Sequence, residues 1–137
     1  MAHWLLKSEP EAYSFADLMR DRQTAWTGVR NAQARNNLGQ MQVDDDVLIY
    51  HSVSEKAVVG RARVVAPAVP DATAPADSGW LSVDVAAAAP LRQPVPLATI
   101  KADGRLADIG LVRQSRLSVV PLTPAEFGVL LALGTGV

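Results

Sequence analysis

The chain has 137 residues, 49% of them hydrophobic and 20% charged, with mean hydropathy +0.11; that is enough apolar material for one core and suits a single domain over residues 1–137. Thirteen Lys and Arg against fourteen Asp and Glu give a net charge of −1. This argues against sequence-independent coating of nucleic acid, so any phosphate contact must come from a local patch. The absence of cysteine excludes disulfides, thiolate catalysis, Zn–Cys sites and Fe–S clusters, and two histidines, His3 and His51, are too few for a His-rich metal centre.

His3 to Ser8 reads as a short strand that Glu9-Pro10 ends, because proline removes a backbone donor. Ser14 followed three residues later by Asp17 marks a helix start of the capping-box kind. Thr24 to Arg30 reads as irregular around Gly28, and Asn31 to Met41 as a weakly amphipathic helix with Ala32, Ala34, Leu38 and Met41 on its apolar side. Asp44-Asp45-Asp46 is a turn into a buried strand, Val47 to His51. Ala57 to Ala66 alternates around Arg61 and Arg63, as a strand with one wet face does. Pro67 to Gly79 is the natural loop, and Trp80 to Ala86 alternates again as a strand.

Pro90 to Pro96 reads as a break, Leu97 to Ala102 and Ile109 to Val112 as helical turns, and Arg116 to Leu122 as a late strand. Thr123-Pro124-Ala125-Glu126 supplies a cap, an N1 proline and an N3 acid for a final helix carrying Phe127, Leu130, Leu131 and Leu133, with Gly134-Thr135-Gly136 as a frayed tail. The sum is an α+β domain with five or six strands in a mixed sheet or small barrel. No stretch reaches the length of a membrane span and the N-terminus lacks a basic leader, so the expectation is a soluble cytoplasmic protein with no membrane partner. Ten Arg against three Lys, with abundant alanine, suggest a GC-rich bacterial source.

Enzyme signals are weak. There is no Gly-x-Ser-x-Gly elbow, no phosphate-binding Gly-x-x-x-x-Gly-Lys-Ser/Thr and no Gly-x-Gly-x-x-Gly. His51, between Tyr50 and Ser52 at a strand end, suits either a hydrogen-bonding group at a pocket rim or a general base. The three consecutive aspartates suit solvent better than a divalent cation. The dense segment is Trp26 to Asn37, with a tryptophan, two arginines, three asparagines and a glutamine in twelve residues. Asn and Gln carry donor and acceptor together and can read a base edge; Trp offers a stacking face and Arg a phosphate contact. The same residues also fit a core tryptophan beside a capped helix.

Four motifs in order carry a resemblance: Trp4-Leu5-Leu6-Lys7-Ser8-Glu9-Pro10; Trp26-x-Gly28-Val29-Arg30-Asn31-x-Gln33-Ala34-Arg35-Asn36; Tyr50-His51-Ser52; and Arg116-Leu117-Ser118-Val119. Together they resemble the EVE domain family over about residues 3 to 133. That resemblance implies a PUA-like fold, a curved mixed sheet or small β-barrel with flanking helices, and kinship with YTH and ASCH domains. It further implies a non-catalytic module without cofactor or metal that recognises a modified nucleobase, in particular modified cytosine in DNA. Two departures stand out: Asp44-Asp45-Asp46 replaces a Gly-Asp turn, and the Lys101–Leu111 region is shorter than in eukaryotic members.

Residue reading and resemblance converge on one expected cavity. Lys7-Ser8-Glu9, Trp26 to Asn31, Tyr50-His51-Ser52 and Trp80 would line it, with Arg116-Leu117 at floor or rim. Trp26 and Trp80 would be its walls, although Trp80 follows a loop and suits a lid equally. Asn31, Ser8 and Ser52 would read the base edge, and Lys7, Arg30 and Arg35 would meet phosphate. Glu9 suits a buried ion pair with an arginine as well as a ligand contact. The expected partner is modified DNA; the alternatives are an RNA-binding module, or a small-ligand binder or enzyme using His51.

Overall fold

The computed structural model describes residues 2–135. Its organising strand is β1 (His3–Ser8), whose consecutive Trp4, Leu5 and Leu6 are all buried, as a strand covered on both faces requires. β1 runs parallel to β3 (Asp46–His51) and antiparallel to β6 (Val119–Leu122). β3 pairs with β4 (Ala57–Pro70), β4 with β5 (Leu81–Pro96), and β5 with the short β2 (Gln23–Trp26). The order β2-β5-β4-β3-β1-β6 makes one six-stranded sheet whose two outer strands do not meet. The sheet is therefore curved but unclosed. Its curvature comes from register shifts along the long β4–β5 hairpin and one more in β3–β4, where extra residues on one strand bend and twist the ladder; the largest lies between Val58 and Gly60 of β4, opposite Val95 and Pro90.

The helices are placed by their caps. Ser14 Oγ accepts from the Asp17 N–H while the Asp17 carboxylate accepts from the Ser14 N–H, which starts α1 (Phe15–Asp21). Phe15 and Leu18 bury against the sheet, and Phe15 lies so close to β4 that a Cβ at Gly60 would sit 2.4 Å from its ring. Asn31 caps α2 (Ala32–Gln40), which buries Ala34 and Leu38. Thr123 and Glu126 exchange the same reciprocal bonds at α5 (Pro124–Thr135), which buries Phe127 and Leu130. Between β5 and β6, α3 (Leu97–Ala102), a 3-10 turn (Gly104–Leu106) and α4 (Gly110–Arg113) bury Ile100, Leu106 and Leu111. Each such fully buried aliphatic side chain contributes about 1.5–3 kcal/mol.

Several boundaries differ from the sequence expectation. Gln23–Trp26 is a strand where irregular chain was expected, because β5 offers it a partner that no local pattern reveals. β5 runs through Pro90–Pro96 instead of breaking there. β2 covers β5 only at Val83 to Ala86, so beyond that point β5 is an edge strand and no second neighbour needs the missing N–H groups. β4 extends to Pro70, which shortens the loop to Asp71–Trp80, and β6 begins at Val119, leaving Arg116 and Leu117 in the preceding turn.

Helix α5 continues through Gly134 and Thr135, which were expected to fray; Gly136, the rest of that expected tail, lies outside the described residues. Asp45 is not a solvated turn residue. It is 2% exposed, and its carboxylate accepts from the Ala2 N–H, the Gln42 N–H (3.0 Å) and the Trp4 indole Nε1–H (2.9 Å). Asp44 holds φ +74°, a left-handed position that a glycine takes without strain. Among the described residues no group of three or more His, Cys, Asp or Glu could hold a metal ion, and no helix is long and apolar enough to cross a membrane.

Candidate nucleic-acid interface

Trp26 closes β2, opposite Val83, and is 8% exposed, so most of its ring belongs to the core. The remainder faces a concavity of about 300 Å³ lined by Lys7, Ser8, Tyr13, Thr24 and Thr27 among others. The Tyr13 ring stands edge-on to Trp26, with centroids 6.2 Å apart and planes at 84°. Its hydroxyl donates to Asp21 (2.8 Å) and its carbonyl accepts from Ser8 Oγ, so both ends are held. Burial, with the Asp21 bond second, pushes the Tyr13 phenol up. Two fixed aromatic planes beside small polar groups suit a flat, partly polar ring.

Lys7, on the end of β1, forms the next wall. Its Nζ donates to the Ser115 carbonyl (2.8 Å) and lies 6.0 Å from the Tyr50 ring centroid. Burial pushes the ammonium below its ordinary range, and the Tyr50 phenol above. Among the described residues no carboxylate pairs with Lys7, so an incoming anion is its natural counter-charge. Beyond the Lys7–Ser115 bond lies a second hollow of about 290 Å³ formed by Asn31, Gln33, Gln114, Ser115, Arg116 and Leu117. Arg116 is exposed there without an ion-pair partner among the described residues, while Leu117 is buried as floor. Asn31 Oδ1 is committed to the Ala34 N–H (3.0 Å), which leaves Asn31 its amide N–H groups to offer a ligand.

The 27–31 loop separates these hollows from Trp80. Asp71, at the start of the β4–β5 loop, is buried and binds that segment: Oδ2 accepts from the Gly28 N–H (2.9 Å) and Arg30 Nη1 (3.0 Å), and Oδ1 from the Thr73 N–H and hydroxyl (both 2.7 Å). Burial alone would raise its pKa. The bonds from Thr73, Gly28 and Arg30 outweigh that and hold the carboxyl far below the carboxylate range. Gly28 meets Asp71 at φ +84°, a conformation that glycine adopts freely. Arg30, turned onto Asp71 and Thr73, also lies 5.9 Å from the Trp80 ring centroid, and Arg35 from α2 lies 5.4 Å away.

The expected single cavity is thus three neighbouring features. Lys7, Ser8 and Trp26 share one; Asn31, Arg116 and Leu117 share the next; Trp80, Arg30 and Arg35 form the third. Tyr50 lies beneath Lys7. His51 and Ser52 buttress from behind. His51 is buried, its Nε2 accepts from the Phe15 N–H (2.9 Å) and its Nδ1 bonds Glu55, so both ring nitrogens are engaged. The Ser52 N–H donates to the Ser8 carbonyl (2.9 Å). Glu9 is exposed and makes no ion pair among the described residues; its carbonyl instead accepts from the Ala12 and Tyr13 N–H groups. Tyr13 and Asp71 were missed by sequence reasoning. Asp71-Ala-Thr73 does carry the signature of an Asx turn, but nothing local links it to Gly28.

The family model described as the EVE domain matches residues 2–133. The chain belongs to the EVE domain family. Mouse thymocyte nuclear protein 1 is 35% identical over 96% of this chain and 73% of its own length. An Agrobacterium tumefaciens protein of known structure matches this EVE domain with TM-score 0.95 and 40% identity, covering 98% of this chain and 93% of that one. The crystal structure of human THYN1 in complex with 5-methylcytosine-containing DNA matches with TM-score 0.91 and 32% identity, covering 98% of each chain. An ASCH protein from Zymomonas mobilis, at 15% identity and TM-score 0.60, shares the fold alone.

Proposed function

We propose that this EVE domain is a binding module for a modified nucleobase in DNA, with 5-methylcytosine as its leading ligand. The observation that carries the reading is the likeness, over nearly the whole chain, to human THYN1 in complex with 5-methylcytosine-containing DNA. The geometry supports it. Tyr13 and Trp26 receive the ring, Ser8 and Thr27 stand at its edge, and Lys7 and Arg116 meet the phosphates on either side of an extruded nucleotide. Base flipping costs a few kcal/mol and stacking returns about 1–3 kcal/mol, so affinity rests on the edge and phosphate contacts. A methyl group filling apolar space adds about 0.8 kcal/mol, which sets the expected preference over plain cytosine at about fourfold.

The test is a titration, at fixed moderate salt, of duplexes that differ only at one site: cytosine, 5-methylcytosine or 5-hydroxymethylcytosine. Tyr13→Ala should abolish the preference, and Lys7→Ala should weaken binding to all three duplexes about equally. Equal affinity of the unsubstituted protein for all three would refute the modified-cytosine reading. Stronger binding to a matched RNA strand would move the assignment to RNA.

A further inference from the structure

We infer that Trp80 is a second base-stacking subsite, separate from the Tyr13–Trp26 hollow, that holds a nucleotide neighbouring the recognised one; the inference rests on the DNA-binding reading above. Trp80 is a partly exposed tryptophan at the end of a loop otherwise made of Asp, Ala, Thr, Pro, Ser and Gly, and it lines a concavity of about 550 Å³ formed by residues 70–81. It is held by Arg30 and Arg35, whose guanidiniums lie 5.9 and 5.4 Å from its ring centroid.

The loop itself is fixed. The Asp71 N–H donates to the Trp80 carbonyl (2.9 Å), closing the loop at its neck, and the Asp71 carboxylate ties that neck to Gly28 and Arg30. So Trp80 is presented at a set position on the far side of the 27–30 segment, whose near side, at Thr27, lines the first hollow. Arg30 is consumed by Asp71, but among the described residues Arg35 bonds Asn36 alone and makes no ion pair, and its guanidinium lies over the indole. A partly exposed indole with an unpaired guanidinium lying over it fits a nucleobase with its phosphate, and it fits every base alike because every base has a π-face. The first hollow reads which base is present. Trp80 and Arg35 add affinity without reading sequence or modification.

Trp80→Ala, Trp80→Phe and Tyr13→Ala, each checked for folding by circular dichroism, would be titrated with the cytosine and 5-methylcytosine duplexes. Trp80→Ala should lower affinity about tenfold for both duplexes and leave their ratio unchanged, Trp80→Phe should restore most of it, and Arg35→Ala should reduce the salt slope by about one. Unchanged affinity in folded Trp80→Ala would overturn the inference, and so would a loss confined to the methylated duplex, which would make Trp80 a wall of the recognition hollow. If the unsubstituted protein shows no methyl preference, the modified-cytosine reading fails, while an equal loss on both duplexes still upholds the stacking subsite. No binding to any duplex overturns both.

Discussion

Trp26 and Trp80 are held in opposite ways. Trp26 is fixed by strand register: it faces Val83 across the β2–β5 ladder and gives nearly all of its surface to the core. Trp80 sits on a loop with no sheet partner of its own, and its position depends on one carboxylate, Asp71, and two guanidiniums. A residue that is mostly core can hold a ligand rigidly but cannot be removed without damage to the fold. A residue held at one neck can be removed cleanly, and its effect on binding read directly.

Substitutions break this contrast in a definite order. Trp26→Ala removes a large core side chain and should cost about 3–5 kcal/mol in denaturant unfolding, so loss of binding in that variant says little about recognition; Tyr13→Ala is the informative change. Asp71→Asn keeps the shape but offers an N–H group where Gly28 and Arg30 both donate, and should cost about 2–4 kcal/mol. It should also alter acid behaviour. The native Asp71 carboxyl ionises at lower pH than the unfolded one, so it stabilises the fold at neutral pH; that contribution starts to decline as pH falls below the ordinary carboxylate value near 4 and is fully lost only below the depressed native value. Stability of Asp71→Asn, followed by thermal melts between pH 6 and 3, should therefore decline less steeply than that of the unsubstituted protein.

Trp80→Ala should change stability by less than about 1 kcal/mol while weakening DNA binding. Asp44→Gly is the smallest change and has the opposite sign. It relieves φ +74° and gives up only the exposed Arg63 pair at 3.4 Å, so it should stabilise by about 0.5–1 kcal/mol with DNA affinity unaltered.

What the sequence made legible follows the range of the interactions. The reciprocal caps at Ser14 and Thr123 are encoded within four residues and were readable, as were the apolar runs of β1 and β3; Asn31 was expected to read a base edge, and its Oδ1 instead caps α2. β2 was not, because Gln-Thr-Ala-Trp is a strand only by virtue of β5, some sixty residues away. The prolines of β5 misled for the same reason, since only the topology shows that this stretch is an edge. In the site, Lys7, Ser8 and Trp26 stood out and do share one hollow. Tyr50-His51-Ser52 stood out as strongly, yet His51 and Ser52 bond to Phe15, Glu55 and Ser8 behind the surface. Residue chemistry alone does not tell a ligand contact from its support. Asp71 shows the converse: beyond its local turn with Thr73, its partners Arg30 and Gly28 lie 41 and 43 residues away, and that role exists only in three dimensions.

The most direct measurement is a ¹H–¹⁵N spectrum of the three indole N–H groups of the unsubstituted protein during titration with duplexes carrying one cytosine or one 5-methylcytosine. Trp4, whose indole donates to buried Asp45, is an internal control that should stay still. Trp26 should move with both duplexes and further with the methylated one, and Trp80 should move equally with both. A Trp26 resonance that stays fixed at saturation with the methylated duplex would contradict the assignment of the Tyr13–Trp26 hollow as the recognition site.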